Sequence, residues 1–150
     1  MEKNKQDYKE EIMDFVAYNE IMICDTPIKN TVVNGVVYGY TFEIRYPSYR
    51  GCYVSNIEEL WFEIDGEKLD STMVYFCLNG KEYTMDELPE LFREYWYVMD
   101  PAVIRVVKMG GIAKGRHSVR VYMKHRVPYT GYFGQYLTLT SDRTAEREAI

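Results

Sequence analysis

The residues able to do chemistry are few and widely spaced. His117 and His125 are the two histidines of the chain, eight positions apart in "HSVRVYMKHRVPY". That even spacing puts both on one face of a strand, but at a rise of roughly 3.3 Å per residue they stand about 26 Å apart. No shared metal or proton relay spans that distance. The three cysteines, Cys24, Cys52 and Cys77, form no C-x-x-C pair, and their odd number leaves one over in any disulfide scheme. None has a histidine beside it in sequence, so they read as reduced structural thiols. Glu58, Glu59, Glu63, Asp65 and Glu67 could supply opposed carboxylates for proton transfer. They fall along a strand and its turn, where solvated charge is the ordinary state. "GGIAKG", Gly110 to Gly115, carries glycines and a lysine but lies between strands, whereas a phosphate cradle needs a helix N-terminus. No G-x-S-x-G, H-E-x-x-H or Walker pattern occurs. The residues alone predict no catalytic, metal or cofactor site on this chain, and point to a binding or structural domain.

Recognition chemistry is better represented. Arg45 to Tyr53, "RYPSYRGCY", concentrates tyrosine and arginine, the side chains over-represented at the energetic centres of interfaces. Tyr46, Tyr49, Arg50, Gly51 and Tyr53 are therefore candidate partner contacts. A second reading leaves Tyr46 and Tyr53 in the core and pairs Arg50 with an acid internally. "EYWYVMD", Glu94 to Asp100, could stack on sugars or bases, or pack its rings on a sheet as the end of a helix.

The elements that must position these residues are mostly strands. Asn34-Gly35, Asp65-Gly66 and Asn79-Gly80 each separate apolar runs, the strongest short signal for a hairpin. "VVYGYTFEIRY", "IEELWFEI", "MVYFCL", "AVIRVVKM" and "HSVRVYMKHRV" read as strands, as does "IMIC", Ile21 to Cys24. Ile12, Phe15, Val16 and Asn19 have helical spacing. In "TMDELPELFREYWY" the period changes: Thr84 and Glu87 have capping-box spacing, and Pro89 restricts the helix to a short one starting near Asp86. The expected architecture is one domain over residues 1–150, all-β and mainly antiparallel. It is a β-sandwich of about seven to nine strands with one short inserted helix. A polar arm over 1–11 and a flexible tail over 141–150 complete it.

Composition sets further bounds. A chain of 150 residues buries roughly two-thirds of its unfolded surface and needs no metal or disulfide to fold. Its net charge of −5 argues against nucleic acid, which requires a concentrated basic face. No apolar run reaches the roughly 20 residues of a membrane span, and no signal peptide opens the chain, so a cytoplasmic location is expected.

Several ordered segments carry a resemblance: the strand ending in "IRYP", the "YRG" corner, "IEEL" with "DGEK", "LNGKEYTMDEL", the "DPA" step and "GGIAKGRHSV". In this order over residues 28–130 the chain resembles the small β-subunit family of C-glycoside deglycosidases. The resemblance implies a β-sandwich partner of a TIM-barrel α-subunit that carries a divalent metal, manganese being expected, with none bound by this chain. It implies a carbon–carbon lyase acting on a 3-oxo-sugar joined to a flavonoid-type aglycone. A C-glycosidic bond offers no leaving oxygen for an acid to protonate, so two-carboxylate hydrolysis fails. A 3-ketone acidifies the C2 proton, and polarising that ketone permits elimination. The alternatives are a stand-alone carbohydrate-binding sandwich, or a lyase or isomerase with a cryptic carboxylate site.

Overall fold

The computed structural model describes residues 10–14, 16–127 and 136–150. Strands dominate, in the order β1 (Glu10–Asp14), β2 (Lys29–Val33), β3 (Val36–Ile44), β4 (Cys52–Tyr53), β5 (Ile57–Ile64) and β6 (Glu67–Lys68). They continue as β7 (Val74–Leu78), β8 (Lys81–Thr84), β9 (Tyr95–Trp96), β10 (Ala102–Val107), β11 (Gly115–Val127) and β12 (Tyr136–Ala149). One helical turn, α1 (Val16–Asn19), follows β1. Three of the twelve strands, β4, β6 and β9, have only two residues, which accounts for the excess over the seven to nine expected.

All three Asx-Gly pairs form the expected hairpins. Asn34, Asp65 and Asn79 adopt φ of 50°, 51° and 54°, and the glycines after them 77°, 83° and 76°. Two successive positive φ values define a type I′ turn, whose twist matches that of the flanking strands. These turns join β2 to β3, β5 to β6 and β7 to β8 in antiparallel pairs.

The strands assemble into two five-stranded sheets, ordered β1-β12-β11-β5-β6 and β2-β3-β10-β7-β8, with β4 and β9 as a separate two-stranded ribbon. Pairing is antiparallel except between β1 and β12. Alternation fixes the inner faces: β11 buries Val119, Val121, Met123, His125 and Val127, and β10 buries Ala102, Ile104 and Val106. Phe42 of β3 meets Phe62 of β5 edge-to-face at 5.4 Å between ring centres, joining the two sheets through one core. The result is the β-sandwich that the sequence predicts.

The inserted helix is a 3-10 turn, Met85–Glu90, containing Pro89. Glu87 Oε1 accepts from the Thr84 backbone N–H at 2.8 Å and from its hydroxyl at 3.0 Å. Proline cannot donate to a longer α-ladder, so the chain straightens and "EYWY" contributes strand β9 instead of a helix end.

Two expectations at the ends of the chain are corrected. Residues 1–9 of the predicted polar arm lie outside the described residues, while Glu10 and Glu11 belong to β1, as does Ile12 of the supposed helix. Residues 141–149 are no loose tail: they complete β12, paired along its length with β11. Ser141, Arg143, Ala145, Arg147 and Ala149 alternate with exposed neighbours. Arg147 looks polar in sequence, yet its guanidinium donates to the carbonyls of Cys24 at 2.8 Å and Ile23 at 2.9 Å. "IMIC" likewise forms no strand of its own; only Ile23 makes a bridge, to Ile44.

Candidate functional site

The corner that follows β3 is built on a floor of buried rings. Tyr46 is 2% exposed, with Trp96 at 5.3 Å on one side and His125 at 4.8 Å on the other. Trp96 is fully buried, meets Phe76 at 5.2 Å, and donates its indole N–H to the Asp100 carbonyl at 2.8 Å. Gly51 brings the chain back over this floor. A Cβ there would lie 2.2 Å from the Trp96 carbonyl oxygen and 2.9 Å from Tyr95 Cε2, so only glycine admits the approach that starts the β4–β9 ribbon.

The ribbon pairs Cys52 with Trp96 and Tyr53 with Tyr95. Alternation sends Cys52 and Trp96 inward and leaves Tyr53 exposed. The Cys52 thiol receives the Asn56 amide at 3.0 Å and the Tyr46 hydroxyl. Burial raises its pKa above the ordinary thiol value, opposed by those hydrogen bonds. It is a packed thiol and not a nucleophile poised for attack.

A hydrogen-bonded carboxylate anchors the ribbon from below. Glu94 is buried and accepts from Asn79 Nδ2 at 2.7 Å, from Lys81 Nζ at 3.2 Å and from the Tyr83 hydroxyl. Desolvation raises the Glu94 pKa, but the bonds from Asn79, Tyr83 and Lys81 outweigh it and hold the carboxyl below the ordinary value. The Asn79 side chain also donates to the Tyr95 carbonyl at 3.0 Å. The β7–β8 turn thereby sets the height of the corner.

Of the five residues singled out in sequence, Tyr46 lies in the core, Gly51 is half-buried, and Tyr49, Arg50 and Tyr53 are exposed. Exposed aromatics cluster there: Tyr53 contacts Tyr95 at 5.1 Å, and Tyr95 contacts Tyr97 at 4.6 Å. Arg50 stands over the Tyr49 ring at 5.5 Å. Phe92, Tyr97 and Met99 are 68%, 59% and 69% exposed, and they extend the same run of chain. Together they make an aromatic surface of interface composition. Tyr95 and Tyr97 were visible in "EYWYVMD"; His125 and Arg126, which also border the corner, gave no signal because 74 residues separate His125 from Gly51.

The other chemistry-bearing residues are engaged elsewhere. His117 pairs with Asp65, Glu63 with Arg120 at 3.0 Å, and Glu58 lies 3.6 Å from Lys124 and 3.5 Å from Arg126. Among the described residues no three His, Cys, Asp or Glu side chains come together as a metal site. A larger groove of about 410 Å³ runs beside β5, between Leu60, Leu69, Met85, Leu88 and Pro89. It gathers mainly apolar packing residues, and the chemical argument favours the smaller corner pocket. No described helix is long and apolar enough to cross a membrane.

Residues 18–129 match the C-glycoside deglycosidase beta subunit family, a span that contains the corner, its floor and its anchor. A C-glycoside deglycosidase beta subunit from Eubacterium cellulosolvens is 34% identical over 87 residues, 58% of this chain and 59% of that protein. A 3'-dehydrocarminate deglycosidase beta subunit from a Microbacterium species is 31% identical over 101 residues, 67% of this chain and 76% of that protein. A C-glycoside deglycosidase beta subunit from Microbacterium trichothecenolyticum is 32% identical over 90 residues, covering 58% and 66%. With the family match spanning most of its length, the chain belongs to the C-glycoside deglycosidase beta subunit family.

Proposed function

We propose that this chain is the accessory β-subunit of a hetero-oligomer that cleaves the carbon–carbon bond between a 3-oxo-sugar and an aromatic aglycone. The catalytic divalent metal, manganese by expectation, sits in a TIM-barrel α-subunit. This chain supplies structure and a docking surface. The family match over residues 18–129 carries the reading, and the exposed aromatic corner supports it. Docking proceeds through Tyr49, Arg50, Gly51 and Tyr53, with Tyr46 holding the corner from beneath. Tyr95 already touches both Tyr53 and Tyr97, which reduces the side-chain entropy lost on association. The cytoplasm is the expected compartment.

The test is affinity purification of the tagged full chain from its own cells, with mass spectrometry, metal analysis and assay of 3-oxo-C-glycoside cleavage. The expected result is a stoichiometric barrel protein carrying the metal, with cleavage by the pair and none by this chain alone. Turnover by the isolated chain would overturn the accessory role. A monodisperse chain that binds sugar without a partner would replace it with a carbohydrate-binding module.

A further inference from the structure

Strand β5 is paired with β11 from Ile57 to Ile64, but its other side is covered only at one end. There β6 pairs with Glu63 and Ile64 alone, and the Leu69 N–H donates to the Phe62 carbonyl at 2.9 Å. Main-chain groups alternate sides along a strand. The Asp65 N–H points toward β11, donating to the Ser118 carbonyl, whereas the Phe62 carbonyl points away from it. Leu60, in step with Phe62, turns both its N–H and its C=O away from β11, and no described residue bonds either group.

The groove of about 410 Å³ runs along this bare edge. Every residue from Ile57 to Phe62 lines it, inward and outward positions alike, so the edge of the strand borders the space and not one of its faces. Leu69 stands beside Phe62, and Met85, Leu88 and Pro89 of the 3-10 turn supply further apolar wall. A donor and an acceptor side by side on a strand edge are matched by an extended main chain. A strand added there continues the alternation of β5. Level with Leu60, its inward side chains meet the partly buried Leu69 and Met85. Level with Glu59, its outward side chains meet negative charge. Glu58 is held by Lys124 at 3.6 Å and Arg126 at 3.5 Å, while Glu59 has no ion pair among the described residues. Asp86, Glu87 and Glu90, exposed on the 3-10 turn, leave Lys68 outnumbered around the groove. A second copy of this chain would bring its own acidic rim against this one, and like charges placed opposite each other destabilise a strand pair.

We propose that the bare edge of β5 is a strand-addition site, which takes an extended segment of a partner protein in which apolar residues alternate with basic ones. Its main chain pairs with Leu60, its apolar residues fill the groove, and its basic residues lie beside Glu59. From Ile57 to Phe62 the edge is about 17 Å long, enough for about five extended residues. The site is built from this chain alone, so it stands or falls apart from the docking role of the corner.

The probe is the pentapeptide Lys-Val-Lys-Val-Lys, acetylated and amidated at its ends, titrated into the ¹⁵N-labelled full chain and followed by amide NMR. Two controls accompany it. The same peptide N-methylated at every residue keeps the side chains and loses the main-chain donors, and Glu-Val-Glu-Val-Glu reverses the charge. The Leu60 and Phe62 amides are expected to shift together, and the Leu60 amide to exchange more slowly with solvent. Both controls should bind about tenfold more weakly or worse. Glu59→Lys, at an exposed position, should keep the dispersed spectrum of a folded chain and weaken the basic peptide about threefold or more. No shift at Leu60 with millimolar peptide would overturn the site. Equal binding of the N-methylated peptide would reduce it to an apolar patch, and equal binding of the acidic peptide would remove the charge selection. Leu60 shifts that grow with protein concentration in the absence of peptide would give the edge to a second copy instead.

Discussion

His117 Nδ1 lies 2.7 Å from Asp65 Oδ2 while its Nε2 lies 2.6 Å from the Ala113 carbonyl oxygen. Both ring nitrogens face acceptors, so the arrangement favours the doubly protonated imidazolium. The Asp65 hydrogen bond raises the His117 pKa above 6.5, and the His117 bond lowers that of Asp65 below 3.8. The histidine's stabilisation is fully present below pH 6.5 and is lost as pH rises through its folded pKa. The carboxylate's is present above pH 3.8 and is lost as pH falls through its own. The stability gap between wild type and His117→Asn, followed by urea midpoint, should peak between about pH 4 and 6.5. It should reach about 1 kcal/mol, because Asp65 is half exposed and surface pairs are worth little. A gap constant from pH 4 to 9 would refute the ion-pair account.

Glu94 gives a prediction of opposite sign. Its lowered pKa means that the stabilisation it confers exists above the ordinary value of 4.5 and fades as pH falls through the folded one. Lys81 is 63% exposed, so the hydrogen bonds from Asn79 and Tyr83 dominate. Glu94→Gln should cost about 1–2 kcal/mol at pH 7. The difference from wild type should close below about pH 4, measured by thermal denaturation at several pH values.

How far these residues could be read in advance differs from element to element. The three Asx-Gly turns and the alternation of β10 and β11 are local properties, and they made the antiparallel all-β architecture legible. The end of β12 was hidden because its inward positions hold Ala145, Arg147 and Ala149, and the Arg147 guanidinium is held by carbonyls of Ile23 and Cys24 over 120 residues away. Reading "EYWYVMD" as the end of a helix misled, because the helical turn stops at Glu90 and Tyr95–Trp96 form β9. The corner's composition was legible, but its floor was not: Tyr46, Trp96 and His125 come from three distant segments.

Gly51 tests whether close approach builds the corner. An alanine Cβ at Gly51 overlaps the Trp96 carbonyl, whereas at Gly35 it meets nothing within 4 Å. Gly35→Ala suffers only from its φ of 77°, a penalty of about 1 kcal/mol. Gly51→Ala should cost about 2–3 kcal/mol and lose the near-ultraviolet dichroism of the buried Trp96. Equal destabilisation by the two substitutions, measured in urea, would show that the β4–β9 approach is soft.

Tyr53 and Arg50 separate docking from folding. Tyr53 is 46% exposed, and its main ring contact is Tyr95, so Tyr53→Ala should reduce fold stability by only about 1 kcal/mol. Arg50 is exposed as well, and its removal should leave the melting temperature within about a degree, as surface substitutions do. If the corner is the docking surface, each substitution weakens association with the α-subunit tenfold or more, read by titration calorimetry on the purified pair. Val33→Ala, at an exposed position of β2, should leave both quantities unchanged. An Arg50→Ala chain that unfolds would place that side chain in the internal architecture, and one that binds with wild-type affinity would move the interface away from the corner.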